Sequence, residues 1–304
     1  MSGIKNQLKS PAMTVPCLAA GVMLILRLCG RFASESMLKS DNPLLTVSVL
    51  QLAVFVLPCI FYYLLKGRRL ETDPFFHVVR PNHFVFVIVS ALVLLCGTLL
   101  IKYGQFILFD EMYTTDGLVQ SVVDETASYS GAGIILAYVI IPAVSEELFF
   151  RGVILSEYRS YGSVNAVIIS ALCFTFVHFS FENFPLYFFA GIILGMVAVV
   201  TRSLLASLLL HIMSNLVSLY GSDSFLRITI QKSGEFFMGF LLIALFGLSL
   251  VFLLLRLEQV YSSYAEKPPV TALPANSREN ILKVFFSPAF LALIAVFVVL
   301  TAFV

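Results

Sequence analysis

Residues 131–152 read Gly131-Ala-Gly-Ile-Ile-Leu-Ala-Tyr-Val-Ile-Ile-Pro142-Ala-Val-Ser-Glu146-Glu147-Leu-Phe-Phe-Arg151-Gly152. From Gly131 to Ser145 there is no charged side chain, and the apolar run resumes after Arg151 as far as Leu155. A helix needs about 20 mostly apolar residues to cross a hydrocarbon core of about 30 Å. A surface helix of a soluble protein would show a polar stripe at the 3.6-residue period instead. The stretch therefore reads as a membrane span with two acids and a base placed inside it.

Outward from this run the pattern repeats. Apolar segments of spanning or near-spanning length fall at about 12–30, 44–65, 83–102, 131–156, 163–181, 184–201, 203–220, 235–255 and 283–304. The chain is 59% hydrophobic and 12% charged, a balance no soluble domain of 304 residues can bury. The expected fold class is all-α, a polytopic transmembrane bundle of about eight to nine spans. Three parts are expected: 1–130, N-terminal spans and loops; 131–220, the core; and 221–304, C-terminal spans with a Pro-containing cytoplasmic linker near 258–282. The last helix reads as an appendage. The first apolar run, behind Lys5 and Lys9, reads as a retained helix because no small-residue cleavage site follows it.

With alternating spans and a cytoplasmic N-terminus, Lys and Arg divide twelve inside to five outside, as the positive-inside rule requires. The acidic segment from Tyr103 to Ser130 is then external. A net charge of +1 argues against a nucleic-acid partner. The five cysteines fall in apolar runs without metal-ligand or disulfide spacing and read as reduced packing residues.

Ionisable groups in lipid cost about 2.5–3.5 kcal/mol each on insertion scales, so those present ask for a function. They are Arg27, Glu146, Glu147, Arg151, His178 and His211, with Asn215 beside them. Glu147 and Arg151 stand four apart, acid first, the favourable order for an ion pair within one helix. Such a pair either braces the helix or lets Arg151 snorkel to the headgroups. Glu146 points about 100° away and has no local partner. A lone carboxylate suits a general base. Pro142, four residues earlier, deprives the Tyr138 carbonyl of its helical donor and favours a kink there. His178 follows Phe174 by four and Asn215 follows His211 by four, so each pair shares a helix face. One carboxylate, two imidazoles and one carboxamide on three spans can activate water, directly or through a metal. Helix counting sets Glu146 and His178 several ångströms apart in depth, unless the span before His178 begins late.

Glu146-Glu147-x-x-x-Arg151, Phe174-x-x-x-His178 and His211-x-x-x-Asn215, in this order over Gly131 to Tyr220, resemble the three motifs of the CPBP family. These are the CAAX prenyl endopeptidases and bacteriocin-processing (Abi) intramembrane proteases. The resemblance implies that Glu146 and His178 activate water, that His211 and Asn215 stabilise an oxyanion or ligate a metal, and that Glu147 and Arg151 are structural. If the mechanism is metal-dependent, it implies a divalent ion such as zinc on Glu146, His178, His211 and Asn215. The expected activity is hydrolysis of a peptide bond near the cytoplasmic side, about 8 Å from the inner edge of the core, by Glu- and His-activated water. Substrates are peptides or membrane proteins. Short loops point to a prokaryotic plasma membrane and away from prenylated substrates. Membrane lipid is the other partner. Two competing readings are a non-catalytic immunity or scaffold protein of the same family and an ion- or proton-coupled transporter, though no internal repeat supports the latter.

Overall fold

In a computed structural model, residues 10–37, 42–66, 77–109, 130–220, 235–266 and 278–302 are described. The acidic segment at 110–129 and the centre of the Pro-containing linker, 267–277, lie outside the described residues. Each expected apolar run contains a helix, and no strand occurs among the described residues. The helices are α1 (Pro11–Met37), α2 (Pro43–Leu65), α3 (Phe84–Phe109), α4 (Gly131–Tyr161), α5 (Ser163–Phe176), α6 (Phe184–Thr201), α7 (Leu204–Tyr220), α8 (Glu235–Glu266), α9 (Arg278–Phe285) and α10 (Pro288–Ala302).

Six of them, α1 to α4, α6 and α8, are long and apolar enough to cross a membrane. A seventh is available if the bent pair α9 and α10, which meet at 56°, counts as one span. The expected spans at 163–181 and 203–220 are shorter helices of 14 and 17 residues. A continuous apolar run in sequence does not reveal where its helix stops. Here α5 ends at Phe176, and Phe179 at φ 48° turns the chain toward α6. Two further expectations shift. The helix α8 runs on through Glu258 to Glu266, into the segment read as linker. The last helix is no appendage: α10 lies along α1, and Phe297 stacks on Phe176 of α5 at 4.6 Å.

Side-chain pairs give the register. Gln51 meets Glu146, Phe55 meets Phe150 and Tyr62 meets Glu157, each pair 95 residues apart, so α2 and α4 run parallel. Arg151 reaches the Gly191 carbonyl and Leu155 lies against Gly195, which makes α4 and α6 parallel as well. Between them α5 returns antiparallel from Gly162, whose φ of 109° suits only glycine. Glu146 and His178 each stand sixteen residues from Gly162, so the hairpin brings them level. The depth mismatch expected from counting along separate spans disappears because α4 continues to Tyr161 and α5 is short. The same extension puts Glu146 midway along α4, about 22 Å from either end at 1.5 Å per residue.

One end of the bundle collects Lys66, Arg80, Arg159 and Arg202 at the ends of α2, α4 and α6 and the start of α3. There Tyr62 and Lys66 both meet the fully buried Glu157 at 3.0 Å, and Thr14 of α1 lies 3.1 Å from the Tyr62 hydroxyl. Ser203 ties the α6–α7 turn to the His77 carbonyl at 2.6 Å.

Candidate active site

The helix α4 is not uniformly α-helical. It passes through π-helical turns at Leu136–Ile140 and Leu148–Leu155, on either side of an α segment, Ile141–Glu147. The first turn precedes Pro142, where a missing N–H was expected to disturb the ladder. The carbonyl that gains a side-chain donor is that of Val139, reached by Asn215 Nδ2 at 3.5 Å. The second turn carries Arg151, whose carbonyl accepts from Ser156 Oγ at 3.2 Å. Such insertions rotate the following side chains relative to a regular helix and recur at functional sites.

Glu147 is 1% exposed and fully engaged. Its Oε1 accepts from Arg151 Nη1 at 2.7 Å and faces His211 Nδ1 at 2.8 Å, while Oε2 accepts from Ser207 Oγ at 2.7 Å. Arg151 is buried, with its second Nη on the Gly191 carbonyl at 3.3 Å and its guanidinium over the Phe174 ring at 4.9 Å. The ion pair expected from spacing is therefore present, and it braces the bundle interior; Arg151 does not snorkel. Gly191 lets α6 lie close against α5, since a Cβ there would meet Ala171 at 2.9 Å.

Glu146 faces a different environment. Its side chain is 12% exposed; Oε1 accepts from Gln51 Nε2 at 2.9 Å, and Oε2 stands 3.8 Å from His211 Nε2. His211 thus lies between the two carboxylates, its Nδ1–H donated to Glu147 and its Nε2 turned to Glu146. His178 comes from the turn after α5. Its Nδ1 is 2.7 Å from the Phe174 carbonyl, which can only accept, so in the neutral ring Nε2 holds the lone pair. Tyr187 stacks on His178 at 3.7 Å, and Phe174 touches both imidazoles, at 4.8 Å and 5.7 Å.

Contacts between side chains thus join Glu146, Glu147, Arg151 and His211, while His178 shares the Phe174 ring with His211 and Asn215 meets the Val139 carbonyl of α4. Arg27 lies half-buried on α1, a helix packed chiefly on α2 and α10. The reading from sequence missed Gln51, Ser207 and Tyr187. Ser207 stands one turn before His211 and was findable on that face; Gln51 is a lone amide in an apolar run and escapes a search for charges.

The donors fit a metal poorly. Among the described residues no three His, Cys, Asp or Glu side chains converge to hold an ion. No step below is routed through a metal.

An all-helical membrane bundle with a carboxylate and two imidazoles in its interior is the class the fold and site define. Residues 128–217 match the family model described as type II CAAX prenyl endopeptidase Rce1-like. The match covers less than a third of the chain and includes every site residue described above except Gln51. Whole-chain comparisons with curated proteins and with solved structures give no match.

Proposed function

We propose that the protein is an intramembrane endopeptidase in which Glu146 activates the attacking water. The carrying observation is the division of labour between neighbouring acids: Glu147 has its oxygens occupied, whereas Glu146 Oε2 has His211 Nε2 opposite it at 3.8 Å. Two carboxylates against one guanidinium leave one negative charge, so one more proton on the Glu146–His211 pair makes the buried cluster neutral.

With that proton on His211, Glu146 is the base. A water held by its Oε2 and by the Nε2 lone pair of His178 gives a proton to Glu146 as its oxygen attacks the substrate carbonyl carbon. The carbonyl oxygen takes the charge and meets the Nε2–H of His211 and the amide of Asn215. Glu147 holds the His211 ring and balances its charge, the part an aspartate plays in a Ser-His-Asp triad. When the tetrahedral intermediate collapses, the C–N bond breaks and Glu146 passes its proton to the leaving amine.

The basic end of the bundle is cytoplasmic by the positive-inside rule, which puts the N-terminus of α1 inside as well, in a plasma membrane of prokaryotic type. The mid-helix position of Glu146 supports a scissile bond within the membrane, with membrane-embedded or lipid-anchored peptides as the substrates. The test is cleavage of a membrane-peptide library by purified protein, read by mass spectrometry. Wild type should cut a defined bond and Glu146→Gln and His211→Ala should not; undiminished cleavage by both variants sinks the assignment.

A further inference from the structure

The stripe joining α2 to α4 raises a question that the family-matched segment leaves open: what does a span outside that segment contribute to the site? Along α2 the contacting residues are Gln51, Phe55 and Tyr62, and along α4 they are Glu146, Phe149 with Phe150, and Glu157. Gln51 to Tyr62 is eleven residues, close to three α-helical turns, so both lie on one face of α2. Their contacts with Glu146 and Glu157 put those two residues on the face of α4 that meets α2, across its second π-helical turn. The end away from Glu146 is clasped by the buried Glu157, which takes both Tyr62 and Lys66. Between the ends Phe55 packs edge-on against Phe149 at 5.6 Å and against Phe150 at 5.9 Å. A slide or rotation of α2 would break the aromatic contact and the clasp together, so the position of Gln51 is fixed from a distance.

At the site, Gln51 gives an N–H to Glu146 Oε1 at 2.9 Å. A carboxylate on a flexible side chain can present either oxygen, and each rotation carries the reactive lone pairs off the line to the substrate. One donor on Oε1 removes that freedom and leaves Oε2 opposite His211. The same bond favours the ionised carboxylate, the form that accepts a proton from water. Among the described residues no other side chain donates to Oε1 of Glu146, and Glu147 needs no such help because Arg151 and Ser207 already hold it.

We propose that Gln51 is a positioning residue for Glu146, held in register by the Tyr62–Glu157–Lys66 clasp, so that α2 completes the site from outside the matched segment. This rests on the reading of Glu146 as the base.

The experiment uses the full-length protein in detergent and the peptide that wild type cleaves in the library screen. Steady-state kinetics across pH are compared for wild type, Gln51→Ala, Gln51→Glu and Glu146→Gln. Misplacing a reacting group by about 1 Å can cost roughly 100-fold. Gln51→Ala is expected to lose about 10- to 100-fold in kcat at unchanged KM, with the acid limb of its pH profile moved to higher pH. Gln51→Glu keeps the shape and packing but sets a second carboxyl against Glu146; the two would share one proton, so kcat should fall at least as far and the acid limb should again move to higher pH. A loss of kcat with an unmoved acid limb in both variants means Gln51 serves packing alone and overturns the proposal. So does retention of wild-type kcat by both variants while Glu146→Gln is dead. Full activity of Glu146→Gln instead overturns the reading beneath it.

Discussion

Glu146 and Glu147 are joined by one peptide bond and share almost nothing else. Glu147 faces the sealed side of α4, where Arg151, Ser207 and His211 Nδ1 fill its coordination. Glu146 faces the side toward α2 and the far nitrogen of the same imidazole, with one donor and one unfilled oxygen. The 100° step of a helix is enough to turn identical side chains into a brace and a reactive group. The lesson is about environment: a carboxylate in the membrane interior is kept for stability where its lone pairs are used, and for chemistry where one is held back.

That contrast can be broken from either side. The largest effect belongs to Glu147→Gln, which leaves Arg151 buried without its counter-charge. Breaking a buried pair in this way costs about 3–5 kcal/mol, so both the detergent-phase unfolding temperature and activity should collapse. Glu146→Gln should do the reverse: lose at least about 1000-fold in kcat, the scale of a lost catalytic base, while unfolding close to wild type. Equal damage to stability by the two changes would erase the distinction between them. Asn215→Ala removes one donor from the developing oxyanion and should lower kcat about 100-fold with little change in KM. Ser207→Ala deletes a hydrogen bond to a charged group and should cost about 1.5–3 kcal/mol of stability, read by chemical denaturation. Smallest of all, chelator treatment should leave the cleavage rate within twofold of the untreated enzyme, because the donors do not assemble around an ion; loss of rate restored by one metal would move the chemistry elsewhere.

Much of this contrast was legible in the sequence, and the reasons for what was not are physical. The i, i+4 spacing of Glu147 and Arg151 identifies their pairing because a helix is a local object. The spacing of His211 and Asn215 likewise sets them on one face of α7. The lengths of α5 and α7 were not legible, since apolarity does not mark where a helix ends inside a bundle; the chain turns at Phe179, at φ 48°, with no glycine at that position to announce it. The level pairing of Glu146 with His178 depends on the hairpin at Gly162, which a count along separate spans cannot see. Gln51 was the deepest omission. Its meaning lies in a register between helices 95 residues apart, and nothing near position 51 announces it.

The central claim is that Glu146, and not its neighbour, takes the proton from water. Its most direct test is single-turnover cleavage of the identified peptide by purified Glu146→Gln, folded as judged by its unfolding temperature and by retained binding of that peptide. The account predicts bound, uncleaved peptide. Cleavage at the wild-type rate by the folded variant would contradict it.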